Sequence, residues 1–326
     1  MTLHAGAENL TRSVQALAGI VLPTEVTMRK PSLDEVFLTL TGHETQATEE
    51  VSMTTTSTAH RAPVIPAPGL FTAAWIIAGR TVGSWRSQLG TVVIVWLFPV
   101  FVTLLFLGLF GGALQVPEGT TYVDFLIPGM LAVTMLFGLE TTTLTAAADA
   151  ARGVNDRFRS FPINAASIVL GRCMADTISS LVSLATMVTF GLLMGWRPEL
   201  SPGSALAAIA LLLLLRFSLL WIGLYVGYCA ASVESVAYVQ VLVWPIAFFS
   251  SVFVNPASTP AWLGTIAEFN PVSATATAVR ELLGGTAWPT LSVAGEYALG
   301  LALIWPLLLT AIFLPLAARR FRNGGQ

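Results

Sequence analysis

The chain has 326 residues, of which 55% are hydrophobic and 10% charged, with a formal net charge of −2 and a mean hydropathy of +0.75. Soluble domains carry roughly 25% charged residues, so this composition excludes an ordinary soluble globular protein. The small net charge says nothing of partners; Lys30 is the only lysine, and arginine supplies the rest of the positive charge.

Residues 1–50 read as the tail of a soluble domain. Val14–Gly19 ends a short amphipathic helix, Val21–Thr27 alternates as a strand does, and Pro31–Leu40 forms a helix with Gly42 just past its end. Such a piece could hardly bury a stable core alone. It is polar and acidic, unlike a cleavable signal peptide, which pairs a positive start with a short apolar stretch. Residues 51–69 belong to a Thr-, Ser-, Ala- and Pro-rich linker that is expected to be disordered.

Residues 70–88 place Leu70, Ala74, Ile77 and Trp85 among Arg80 and Arg86. This predicts a helix lying in the membrane interface, with tryptophan anchoring and arginine facing phosphates. Six apolar runs follow, at about 91–110, 126–148, 170–194, 205–228, 236–254 and 298–315. Each is near the ~20 residues needed to cross ~30 Å of hydrocarbon. Pro99 lies inside the first, and Trp244-Pro245 is expected to kink the fifth. Between the fifth and sixth runs, Ser273–Leu283 is bounded by Asn270-Pro271 and Gly284-Gly285 and fits a re-entrant or interfacial helix on the outer side. The expected fold is therefore all-α and polytopic, with six transmembrane helices over residues 70–322.

The arginines fall on alternate sides. Arg80, Arg86, Arg152, Arg157, Arg159, Arg172, Arg319, Arg320 and Arg322 occupy one set of connections, while the other set holds Arg197, Arg280 and six acids. Positive loops stay cytoplasmic, which puts both ends inside and the chain in the inner (plasma) membrane.

Several chemistries are missing. His4, His43 and His60 all precede the membrane region, so no span holds a histidine base, ligand or proton relay, and an intramembrane serine protease is excluded. Cys173 and Cys229 lack the partners that a disulfide or metal site needs and read as small buried hydrophobes. No G-x-x-x-x-G-K-[ST] occurs, so the chain holds no P-loop for ATP. No catalytic residue, bound cofactor, metal site or nucleic-acid partner is expected.

One connection is rich. Asp149–Asn164 reads DAARGVNDRFRSFPIN and combines Arg152, Asp156, Arg157, Phe158, Arg159, Phe161 and Pro162. It is either a solvated turn obeying charge topology or a short helix docking in a cytoplasmic partner, with Phe158 and Phe161 as apolar anchors and arginines as the rim. Arg172 and Asp176, spaced i, i+4, are placed to pair at the inner end of the third span. Ionisable residues inside spans are expensive and so mark function. Glu140 in the second span and Arg216 in the fourth lie at comparable depth, and a Glu140–Arg216 pair is one expectation. Thr141, Thr142, Thr143 and Thr145 form a stripe that either lines a pathway or bonds back to its own helix.

These elements together resemble ABC-2 type transporter permeases, and within them the daunorubicin-resistance subgroup of drug exporters. The matching residues are Asp149-x3-Gly153-x3-Arg157-x-Arg159-Ser160-x-Pro162, Gly171-Arg172-x3-Asp176 and Phe269-Asn270-Pro271. The resemblance covers roughly residues 70–320. It implies a homodimeric permease paired with two copies of a separate ATP-binding subunit, which uses ATP and Mg²⁺ and sits on residues 152–163. It also implies export of an amphipathic small molecule, with Asn255, Asn270 and Pro271 in the outer segment. RKPSLDEVFLTLTGH in turn resembles the C-terminal end of that ATP-binding subunit, so residues 1–50 are either a fusion remnant or precede a start near Met53. A proton-coupled carrier working through Glu140 and a non-transporting membrane scaffold are the rival readings.

Overall fold

In the computed structural model, the described residues are 69–111, 116–117, 119–154, 165–199 and 201–322. The expectations for residues 1–68, and those for Asp156, Arg157, Phe158, Arg159, Phe161 and Pro162, lie outside them. The described residues form ten α-helices and no strand. They are α1 Leu70–Ser84, α2 Leu89–Phe110, α3 Tyr122–Ala151, α4 Ala165–Leu193 and α5 Pro202–Cys229, then α6 Ala237–Phe248, α7 Ala261–Phe269, α8 Pro271–Leu282, α9 Val293–Glu296 and α10 Ala298–Arg322. Long apolar sequences take this form because a helix satisfies every backbone N–H and C=O within its own segment, where lipid offers no partner.

α3 is the central element. Its 30 residues span about 45 Å, longer than a hydrocarbon core, and 18 of them are buried. Thr121 caps its start, accepting from Asp124 N at 3.2 Å. α3 packs most extensively on α5, and α5 in turn on α10. Close approach of α3 and α5 rests on Gly223 and Gly227, four residues apart on one face of α5. A Cβ at Gly227 would lie 2.6 Å from Ala146 Cβ and 2.7 Å from Thr143 O. Between apolar helices in lipid there is no hydrophobic drive to associate, so small residues that let backbones touch supply the packing.

α1 runs through a 3-10 turn at Trp85–Gln88 straight into α2, and it packs on α4. Gly171 of α4 makes that contact possible, since a Cβ there would meet Ala74 O at 2.8 Å. Trp85 turns its ring edge to Trp96, centroids 5.5 Å apart.

Among the described residues, five helical segments are long and apolar enough to cross a bilayer, α1 and α2 counting as one continuous run. The fifth expected span, 236–254, is shorter than its hydropathy indicates. The helical stretch Glu234–Phe248 covers about 22 Å, and turns follow from Phe249. At this end Asn270 Nδ2 donates to Ile246 O at 2.8 Å, taking up a carbonyl that the last turn of α6 leaves without an N–H partner. Its Oδ1 accepts from Val272 N at 2.9 Å and starts α8, with Pro271 at the first helical position. One Asn-Pro step thus serves the end of one helix and the start of another.

Candidate functional site

α3 ends at Ala151, Gly153 follows with a φ of 65°, and the next described helix is α4. Two ion pairs join helices here. Arg172 of α4 bonds Asp149 of α3, and Arg216 of α5 bonds Asp176 of α4. Arg216 Nη2 also donates to Thr142 Oγ1 on α3. Thr142 Oγ1 in turn donates to Gly138 O at 3.0 Å and stands 3.4 Å from Asp176 Oδ1. The result is a polar ladder joining α3, α4 and α5 inside the bundle.

Burial separates the two rungs. The Arg216 side chain is 4% exposed and its Asp176 partner 19%, against 15% and 32% for Arg172 and Asp149. The guanidinium of Arg216 fills the hollow beside Gly138, where a Cβ would lie 2.6 Å from Arg216 Cζ. Its Nη1 is buried without a hydrogen-bond partner.

Both expected pairings are therefore corrected. Arg172 and Asp176 do not bond each other along α4, because each finds a partner on a neighbouring helix. Glu140 does not bond Arg216, because residues of α3 advance 100° each and Glu140 lies about 200° round from both Gly138 and Thr142, the two residues Arg216 touches. Glu140 turns instead toward α6 and Gln240. Of the threonine stripe, Thr143 Oγ1 donates to Leu139 O at 2.8 Å and Thr145 Oγ1 to Thr141 O at 2.9 Å, so these hydroxyls bond back to their own helix. Thr143 is fully buried where α3 meets α5, and Thr141 is half-buried. Arg152 caps the end of α3 at the surface, its N–H on Ala148 O.

Away from the ladder, Asn255 Oδ1 accepts from Ala257 N at 3.0 Å and caps a short turn, while Asn270 and Pro271 join α6 to α8. The residue that sequence reasoning missed there is Arg280. Placed among outer loops by charge alone, it is fully buried. Its Nε donates to Phe125 O at 3.0 Å and its Nη1 to Ser251 O at 3.3 Å, and the guanidinium lies 3.8 Å from the Phe125 ring centroid. It thereby ties α8 to the start of α3 and to the turn after α6. Glu268 is also buried, accepting from Leu291 N at 2.7 Å and from Ser292 Oγ. A signal for Arg280 was present: it stands on α8 among small residues that let neighbouring helices approach.

A profile for ABC-2 type transporters matches residues 72–283, from α1 to the end of α8. The chain belongs to the ABC-2 type transporter family. This permease chain is 36% identical over 230 residues to the daunorubicin resistance ABC transporter permease protein DrrB1 of Streptomyces coeruleorubidus, covering 70% of this chain and 78% of the relative. It is 29% identical to the putative transport permease ycf38 of Porphyra purpurea and 28% to that of Pyropia yezoensis, over 57% of this chain and 66% of each. Family and apolar helices together make it a multi-pass membrane protein. The polar ladder lies wholly within the matched segment, as do Asn255, Asn270, Pro271 and Arg280.

Proposed function

We propose that this chain is the transmembrane permease subunit of an ABC exporter that moves amphipathic small molecules out of the cell. The observation that carries the proposal is the ladder at the base of residues 152–163, within a chain of the ABC-2 family. The helices that lead into and out of this segment are joined to each other and to α5 by ion pairs, so a push delivered there would reach three helices at once. The power comes from a separate ATP-binding subunit, which binds ATP and Mg²⁺ and seats on Arg152, Asp156, Arg157, Phe158, Arg159, Phe161 and Pro162. The DrrB1 relative, whose name ties it to daunorubicin resistance, supports a drug or drug-like cargo.

In this reading α6 and the turns after it make the fifth of six crossings, and α7 and α8 re-enter from the outer face. Both ends of residues 70–322 face the cytoplasm at the plasma membrane. Two copies of the chain work with two ATP-binding subunits, and residues 1–50 are a remnant of such a subunit's C-terminal end.

The test is ATP-dependent efflux from cells holding the full chain and its ATP-binding subunit. Arg157→Glu reverses a rim charge and Phe158→Ala removes an anchor, so each lowers efflux while leaving the permease in the membrane. Unchanged efflux in both variants refutes the docking role.

A further inference from the structure

Glu268 is a buried carboxylate that the ladder does not use. It stands on the last turn of α7, where unpaired backbone carbonyls already give the helix end a negative partial charge, and it is 7% exposed. Its oxygens accept from Leu291 N at 2.7 Å and from Ser292 Oγ. A carboxylate offers about four acceptor positions, so these two bonds leave others open. Among the described residues, no arginine, lysine or histidine stands within 4.0 Å of it. Arg280 gives its bonds to the carbonyls of Phe125 and Ser251 instead. A buried carboxylate in this state is costly to keep charged unless a cation meets it.

Glu268 lines a cavity of about 20 Å³, room for one water-sized particle. The other polar residues of its wall are Ser251, Ser273, Thr277, Trp288 and Thr290, and small or apolar residues close the rest. No residue of the wall is a cation, and every polar side chain except Trp288 offers oxygen. Bonds between elements hold this wall in place. Ser273 Oγ accepts from Ser251 N at 2.8 Å, Ser251 Oγ lies 3.4 Å from Thr277 Oγ1, and Trp288 Nε1 donates to Ser251 O at 3.0 Å. Gly295 leaves room beside the carboxylate, since a Cβ there would stand 3.0 Å from Glu268 Oε1.

We propose that this cavity binds a sodium ion on Glu268 and the surrounding hydroxyls. Oxygen ligands suit a hard cation, and one carboxylate balances a single charge. Calcium takes 6–8 oxygen ligands and magnesium keeps several waters, which a space for one particle does not allow. The ion joins the turn after α6, the end of α7 and the first half of α8, pieces that the Asn270-Pro271 step leaves without a continuous helix. Breaks of this kind expose backbone and side-chain oxygens that helices otherwise occupy. The site stands apart from the exporter reading, which it neither needs nor tests.

The experiment is binding of radioactive sodium to the purified full chain in phosphatidylcholine nanodiscs, with sodium, potassium or choline chloride as competitor at constant ionic strength. Thermal unfolding is followed in the same three salts. Sodium is expected to bind saturably, to be displaced less well by the larger potassium and not by choline, and to raise the unfolding temperature above that in choline. Glu268→Gln should weaken binding roughly tenfold or more, since the one charge on the ion's shell is lost. Thr277→Val keeps the bonds of Glu268 to Leu291 and Ser292, so it should weaken sodium severalfold while unfolding in choline as the parent does. It carries the test should Glu268→Gln not fold. Binding no greater than to empty nanodiscs overturns the proposal and leaves the cavity to a water molecule. Displacement by choline as strong as by sodium overturns it too, as does sodium binding unchanged in Thr277→Val and Glu268→Gln.

Discussion

Replacing Asp176 by Asn leaves the Arg216 guanidinium in the bundle without its counter-charge, facing only Thr142 and an uncharged amide. Arg216 is 4% exposed, and its Nη1 already lacks an acceptor. Stranding a buried charge in this way costs about 3–5 kcal/mol, and the 19% exposure of Asp176 puts the expected loss near the lower end, at about 3 kcal/mol. Removing the charge as well relieves most of that, because an apolar side chain suits the site. Asp176→Asn with Arg216→Met should therefore be more stable than the sum of the single changes predicts, with a coupling of about 2 kcal/mol. The more exposed Arg172–Asp149 rung should couple by about 1 kcal/mol or less. Unfolding of the full chain in mixed detergent and SDS micelles, followed by tryptophan fluorescence, gives both cycles. Additivity within about 0.5 kcal/mol at Asp176 and Arg216 would refute the reasoning, for it would mean that the two side chains do not depend on each other.

Two further changes probe the packing. Gly227→Ala puts a Cβ 2.6 Å from Ala146 Cβ and should destabilise the same unfolding transition by roughly 1–3 kcal/mol, and a neutral result would show that α3 and α5 can separate freely. Arg280→Lys should cost more than Arg280→Met by roughly 1–3 kcal/mol, because an ammonium keeps the buried charge but cannot reproduce the planar fork that serves Phe125 O and Ser251 O. A lysine variant as stable as the parent would remove Arg280 as a tie between α8, α3 and the turn after α6.

Much of the architecture was legible because hydropathy and arginine placement act on whole segments. The runs at 126–148, 205–228 and 298–315 fall within single helices, and 170–194 passes the end of its helix by one residue. The exception, 236–254, shows what hydropathy omits. Phe249 and Val252–Val254 are as apolar as a span requires, yet the helix stops at Phe248, and Asn270, distant in sequence, takes up the carbonyl of Ile246. The site was half legible. Arg172 and Asp176 were singled out by spacing and Asp149 and Gly171 by the family resemblance, and all four serve contacts of α4 with α1, α3 or α5. Their partners were not, since depth places Glu140 and Arg216 together while azimuth places them apart. The Gly223-x3-Gly227 step and the buried Arg280 were readable as small-residue packing and as a charge on a helix of small residues, but only once α3 was known as the facing element.

The central claim is that this permease moves its cargo only when an ATP-binding subunit drives it. The most direct measurement is transport in proteoliposomes holding the full chain, with and without an ABC ATP-binding subunit, using ethidium as cargo. The account predicts movement that needs both proteins and hydrolysable ATP, is unaffected by collapse of the proton gradient, and is lost with Arg157→Glu. Movement by the chain alone under a proton gradient, or movement indifferent to the second protein, would contradict it.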